Sequence, residues 1–271
     1  MKNVFLWLKL SNMEKPLILV TNDDGITAPG LRALIRTMKE LGDVVVVAPD
    51  SPQSGMGHAI TVDNTLFSKK VVVDHKEGAP SEYSCSGTPA DCVKLALRVI
   101  LDRKPDICVS GINHGSNSSI NVIYSGTMSA AIEAGIEGIP AIGFSLCDYS
   151  WDANFEPALG AIKNIVSEAL TNGIPKGTVL NVNIPKTETA PKGVRICRQA
   201  RGNWKEEFDK RTSPSGKNYY WLTGEFELLD KGEDTDEWAL EQGYISVVPT
   251  QFDLTAHHAI PQINNWNLNE Q

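Results

Sequence analysis

Two adjacent carboxylates, Asp23 and Asp24, follow almost directly on the apolar run Leu17-Ile18-Leu19-Val20 and are closed off by Gly25. Neighbouring unpaired acids repel each other unless a positive charge lies between or beside them, and a bound divalent cation is the simplest remedy. Asp and Gly are also ordinary turn formers, so the pair alone is a weak motif. Two further polar, glycine-containing stretches strengthen it: Pro49 to Gly57, which offers Ser51 or Ser54, and Ser110 to Asn117, which offers Asn113 or Asn117. All of these donors are oxygens, and hard oxygen ligands select Mg²⁺, Mn²⁺ or a similar cation over zinc or copper. A fourth stretch, Ser125-Gly126-Thr127, opens an alanine-rich segment running toward Gly135. Small residues at a helix N-terminus leave free N–H groups and room for a phosphate. A hard cation beside a phosphate cradle predicts phosphoryl chemistry, with hydrolysis its simplest form. His58 and His114 fall in these loops, where a histidine is more often hydrogen-bonded or solvated than catalytic.

The elements that must position these loops are written in the periodicity. Residues 17–20 are continuously apolar rather than alternating, which suits a strand buried on both faces of a parallel sheet. Leu31, Leu34, Ile35, Met38 and Leu41 form one stripe of an amphipathic helix between Pro29 and Leu41 that Gly42 closes. Further strands are predicted over Asp43 to Ala48, Asp106 to Val109, Ala141 to Phe144, Val179 to Ile184 and Tyr244 to Val248. Thr88-Pro89-Ala90-Asp91 has an N-cap, a proline at N1 and an acid at N3, so a helix begins there and runs to about Leu101, with Val93, Ala96, Leu97 and Ile100 inward. Phe155, Leu159, Ile162, Val166 and Leu170 define a long helix. Residues 60–86 alternate and break often, which reads as short antiparallel strands (Thr61-Val62, Lys70 to Val73, Tyr83 to Ser86) in an insertion. Strands that alternate with helices predict an α/β fold, and in open α/β sheets ligands bind at the carboxyl ends of the strands.

After Pro185 the character changes. Trp204 and Tyr219-Tyr220-Trp221 flank Ser213-Pro214-Ser215-Gly216, a hairpin pattern. Residues 225–241 carry eight acids and one lysine, most simply a solvated face. The chain divides into a metal- and phosphate-binding α/β core over residues 15–185 and a C-terminal elaboration over 186–271 that belongs to the same domain, with residues 1–14 as an extension.

A chain of 271 residues is long enough for one large α/β domain, and 41% hydrophobic with 21% charged residues describes an ordinary globular protein. A net charge of -8 argues against a surface that coats a nucleic-acid polymer, but not against a small phosphorylated substrate. Five scattered cysteines, none in a CxxC pair, fit free thiols in a reducing, cytoplasmic setting. No apolar run approaches membrane-spanning length, and Lys9 interrupts the apolar patch at the N-terminus, so neither a membrane anchor nor a signal peptide is expected. No GxGxxG follows the first strand, there is no Walker loop, and adjacent acids are not the DxD of an aspartyl-phosphate phosphatase. A receiver domain, the rival from the signalling class, requires an acceptor aspartate and a lysine where this chain has Ser110 and Pro185. No cysteine or paired serine and histidine accompanies the acids as a nucleophile, so direct attack on phosphorus by water at the cation is expected.

Taken together, Val20 to Gly25, Ala48-Pro49-Asp50 with Ser54-Gly55, Gly87 to Cys92, Ser110 to Asn117 and Tyr124 to Thr127 resemble the SurE family of survival-protein nucleotidases, in order from about residue 16 to 250. The resemblance implies a Rossmann-like, mostly parallel sheet with helices on both faces and a C-terminal hairpin and tail. It implies one divalent cation per subunit, Mg²⁺ or Mn²⁺, with Asp23, Asp24, Ser54 and Asn113 as ligands. Asp23 and Asn22 become the catalytic residues, Asp23 orienting or deprotonating the water, and Asn22, Asn117, Ser125, Gly126 and Thr127 line the phosphate. The implied substrates are nucleoside monophosphates, 5′ chiefly, with 3′-monophosphates and short polyphosphate as further ones. Exchange of the hairpin and tail between subunits implies a homodimer or homotetramer. Residues 1–14 have no counterpart in this pattern, and the place of His114 is often arginine in relatives.

Overall fold

The computed structural model describes residues 15–74 and 78–268; the extension expected over residues 1–14 lies outside the described residues. The chain runs β1 (Leu17–Thr21), α1 (Pro29–Met38), β2 (Asp43–Pro49), β3 (Ser68–Val71), β4 (Ser81–Cys85), α2 (Pro89–Leu95), β5 (Ile107–His114), α3 (Gly126–Ile136), β6 (Ala141–Leu146), α4 (Glu156–Asn172) and β7 (Thr178–Ile184). It continues through β8 (Val194–Ile196), β9 (Gly202–Thr212), β10 (Asn218–Leu228), α5 (Asp236–Glu241) and β11 (Ile245–Gln251). Nine strands form one sheet in the order β3-β4-β2-β1-β5-β6-β7-β11-β8, while β9 and β10 make a separate two-stranded ribbon. From β4 to β7 all neighbours are parallel; β3 and β11 run against β4 and β7.

The continuous apolar runs find their reason in this layering. Ile18 and Val20 point into one core with Leu31, Leu34, Ile35 and Met38 of α1 and Ile162 and Val166 of α4. Leu19, between them, points into a second core with Val93 of α2 and Met128, Ala130 and Ala131 of α3. A strand covered by helices on both faces has no use for alternation. Strand order reverses between β1 and β5, with β2 and β4 to one side and β6 and β7 to the other. Such a switch point opens a crevice beyond the strand ends. The loops after β1 and at the end of β5 border it.

Several expectations need correction. Two of the short strands expected over residues 60–86 form, as β3 and β4, and pair antiparallel, but they are not an insertion, because β4 also joins the main sheet parallel to β2. The polar residues that disguised β4 are neutralised inside the fold, where Arg32 of α1 donates to Glu82 at 2.7 Å. Thr61-Val62 forms no strand, because the Thr61 N–H and hydroxyl donate to the Asp91 carboxylate at the start of α2, the hydroxyl at 2.6 Å. That helix keeps α geometry only to Leu95 and continues to Ile100 as a π turn. β5 does not stop at Val109 but carries its pairing to His114 across an irregularity between Ser110 and Asn113.

The acidic segment 225–241 is only partly a solvated face. Asp236 is fully buried and accepts from the backbone N–H groups of Ser119 and Ala200, both at 2.8 Å. Asp230 and Asp234 both bind the guanidinium of Arg198, which holds their carboxyls below the usual range. Local charge density reports solvent only when the fold supplies no donors, and here it supplies them from residues far off in the chain.

Candidate active site

The site is built on the end of β1. Thr21 and Asn22 are fully buried, and Asn22 donates from its side-chain amide to the Gly25 carbonyl at 3.0 Å, which folds the acidic turn back on itself. Gly25 takes a φ of 101°, a left-handed conformation that glycine adopts without strain. Asp23 is 3% exposed, and its Oδ1 accepts from the Thr127 hydroxyl at 2.5 Å. Burial, then the charge of Asp24, raises the Asp23 carboxyl to about 7 against the opposing hydrogen bonds from Thr127. Asp24 faces β5 instead, where its Oδ2 lies 3.2 Å from the His114 backbone nitrogen and 3.1 Å from His114 Nδ1.

The other predicted residues gather around this turn. The Gln53 N–H donates to the Asp23 carbonyl at 2.7 Å, so the exposed turn that carries Ser54 is tied to the acid, although the Ser54 hydroxyl itself bonds to none of the other site residues. Asn113 donates its amide to the Gly115 carbonyl at 2.9 Å, leaving its carbonyl oxygen as the atom available to a cation. Ser125 caps α3 by accepting from the Met128 N–H at 3.0 Å. Gly126 comes so close that a Cβ would stand 2.7 Å from the Asp23 Cβ and 2.9 Å from its Oδ2. The N-terminal turn of α3 is thus pressed onto the acid. Asn117 borders the same cleft, but its side-chain amide donates to Ser145 of β6 at 2.7 Å.

Sequence reasoning missed the residues that brace this arrangement. Asn181 and Asn183 of β7 hold Asn117 from below, Asn181 donating to its carbonyl at 2.9 Å and Asn183 accepting from its N–H at 2.8 Å. Their signal was present, because asparagine at i and i+2 in a largely apolar, mostly buried strand requires partners inside the fold. His114 stacks on Trp151 at 5.5 Å and meets Phe155 edge-on at 5.1 Å, so the imidazole that faces Asp24 is clamped between the β6–α4 loop and the start of α4.

The donor set fits a hard divalent cation. Among the described residues no lysine or arginine pairs with Asp23 or Asp24, and the Asn22 side-chain carbonyl is buried without a partner. The described residues contain no cluster of three or more His, Cys, Asp or Glu side chains placed to hold a metal ion, so a cation here would rest on two carboxylates and on neutral oxygens of Ser54 and Asn113. The cysteines are unpaired, and burial pushes the Cys108 and Cys147 thiols up to about 12. Those two are poor nucleophiles.

Residues 18–206 match the family described as survival protein SurE. The chain belongs to the SurE family. It is 69% identical over 261 residues to a protein of Christiangramia forsetii named 5'-nucleotidase SurE, covering 96% of this chain and all of that one. It is also 68% identical over 259 residues to the protein of the same name from Flavobacterium psychrophilum, covering 95% of this chain and all of the relative. The crystal structure of the SurE protein from Aquifex aeolicus superposes with a TM-score of 0.79 at 42% identity, over 92% of this chain and 98% of that one. The SurE fold is therefore the α/β architecture described above, with the β9–β10 ribbon as its antiparallel addition.

Proposed function

We propose that this chain hydrolyses nucleoside 5′-monophosphates to nucleoside and phosphate with one Mg²⁺ or Mn²⁺ per subunit. The observation that carries the reading is the buried Asp23, beside Asp24 and against the N-terminal turn of α3. The name 5'-nucleotidase borne by relatives that align over nearly the whole chain supports it. Asp23, Asp24, Ser54 and Asn113 would hold the cation. When bound, it polarises the phosphate ester and makes a neighbouring water a better nucleophile. Every other task falls to the chain itself. Thr127 engages Asp23 Oδ1, so Oδ2 is the atom left to orient the attacking water. Asn22 and Asn117 flank the phosphate, and the first N–H groups of α3 receive its oxygens. Among the described residues no serine–histidine pair or thiolate stands beside Asp23, so water attacks phosphorus directly and the P–O bond to the nucleoside breaks.

The same site extends to 3′-monophosphates and short polyphosphate, whose terminal phosphate presents the same oxygens. The chain acts as a homodimer or homotetramer in the cytoplasm, without a nucleic-acid polymer or a membrane as partner. Its net charge of -8 and five unpaired cysteines support that setting. Among the described residues no helix is long and apolar enough to cross a membrane.

The test is a phosphate-release panel over nucleoside 5′- and 3′-monophosphates, sugar phosphates and polyphosphate, with Mg²⁺, Mn²⁺ or EDTA. Metal-dependent release, greatest from the 5′-monophosphates, is expected. Undiminished release after exhaustive EDTA treatment overturns the metal role, and no release from any ester with either metal overturns the reaction. A single turnover in ¹⁸O-water then places the label in phosphate if water attacks directly; oxygen taken from the protein would show a covalent intermediate instead.

A further inference from the structure

We infer that the cleft next to the phosphate end is a nucleoside subsite in which the substrate's base packs among Tyr149, Trp204 and Phe226. The substrate class rests on the reaction proposed above; the subsite rests on geometry. Two cavities meet there. One, of about 190 Å³, is bordered by Asn113, Asn117 and Ser125, the side chains gathered around the acidic turn. The other, of about 280 Å³, is bordered by Cys147, Trp204, Phe226 and Glu237. Ser116, Asn121 and Tyr149 belong to the walls of both, so the two cavities adjoin. The two ends differ in chemistry. Rings border both ends but carboxylates only one: Asn113, Asn117 and Ser125 share the first with Tyr124, whereas the second sets Trp204 and Phe226 beside the carboxylates of Glu237 and Glu241. A carboxylate repels phosphate and accepts hydrogen bonds from hydroxyl and amino groups. A molecule with an anion at one end and an aromatic, N–H- and O–H-bearing body at the other therefore fits in one orientation.

Two of the rings are fixed by their own contacts. Trp204 donates from Nε1 to Asn121 Oδ1 at 2.8 Å and meets Phe226 edge-on at 5.7 Å. Both are half-buried at the root of the β9–β10 ribbon, unlike Tyr220, Trp221 and Leu222 farther along, which are 57%, 59% and 60% exposed. Tyr149 is 74% exposed, and its ring lies against Gly115, where a Cβ would stand 2.3 Å from Cε1. Gly115 takes a φ of 105° in addition, so both its backbone and the ring keep that position free of a side chain.

The experiment compares kcat/KM for AMP and for ribose 5-phosphate, which lacks the base, in the full-length protein and in Trp204→Ala and Tyr149→Ala. The preference for AMP should fall roughly tenfold in each variant, chiefly through KM, as base–aromatic stacking predicts. Equal losses on both substrates would mean that the rings only seat the ribbon, and an unchanged preference would mean that the base lies elsewhere; either overturns the subsite. Tyr149 is too exposed for its removal to threaten folding, so that variant decides even if Trp204→Ala fails to fold. Calorimetric titration of EDTA-treated protein with adenosine reads the subsite without catalysis, with affinity expected to fall about tenfold in Tyr149→Ala. Adenosine binding without cleavage of any ester supports the subsite and removes the proposed reaction. Cleavage of both esters without adenosine binding removes the subsite and leaves the reaction standing.

Discussion

Burial and the charge of Asp24 together lift the Asp23 carboxyl to about 7, so the fold carries a buried acid that resists ionisation. Replacing it with asparagine keeps an acceptor for Thr127 and removes the repulsion. Asp23→Asn should therefore melt no lower than the parent without cation, while phosphatase activity falls at least about a hundredfold. The rise in Tm that Mn²⁺ gives the parent, a linkage effect of binding to the native state alone, should also disappear. Thermal melts with and without Mn²⁺ check both halves, and a variant that retains the full Mn²⁺-induced rise would exclude Asp23 as a ligand. His114 belongs to the same scale. Its imidazole and backbone N–H both converge on Asp24 Oδ2, which fixes the orientation of that carboxylate.

At the scale of elements, the seam between α3 and the β1 turn has no spare volume, because the Gly126 backbone lies directly against Asp23. Gly126→Ala should displace the helix N-terminus from the acid, costing about 1–3 kcal/mol of stability and a larger share of activity. Denaturant melts and phosphate release measured on the same preparation separate the two. The start of α2 supplies a pH prediction. Burial alone would raise the Asp91 carboxyl, but hydrogen bonds from Thr61 and Thr88 outweigh burial and hold it below its ordinary value. A group whose folded pKa is depressed stabilises the protein above its unfolded pKa, about 3.9 for aspartate, and loses that contribution as pH falls through the folded value. The Tm gap between the parent and Asp91→Asn should thus be full at pH 6 and close below about pH 4. A gap that widens on acidification would contradict the assignment.

At the scale of the molecule, the β9–β10 ribbon projects from the sheet with Phe208, Tyr220, Trp221 and Leu222 each more than half exposed. Contiguous exposed aromatics of this kind mark an interaction surface, and a second copy of the chain is the partner proposed. Light scattering at micromolar concentration should give two or four times the chain mass. Replacing Tyr220, Trp221 and Leu222 with serine should shift it toward one while circular dichroism is preserved. A parent that scatters as a single chain at every concentration would remove the oligomer from the proposal.

What the chain states locally, it states by itself. The buried run 17–20, the stripe from Leu31 to Met38 and the box formed by Thr88 and Asp91 are short-range physics, in which periodicity selects the element and a capping side chain sets its boundary. The loops that carry Asp23, Ser54, Asn113 and Ser125 follow from knowing where those elements stop. Only the tertiary structure decided which distant polar groups meet each other. Asn181 and Asn183 meet Asn117 across more than sixty positions of sequence, His114 meets Asp24 across ninety, and Asp236 reaches Ser119 across still more. The place of β4 in the main sheet hid for the same reason, since Glu82 looks like a surface residue until Arg32 is packed against it. A polar group in a buried element reads as a fault in the pattern, because the partner that satisfies it is chosen by strand order rather than by sequence neighbours.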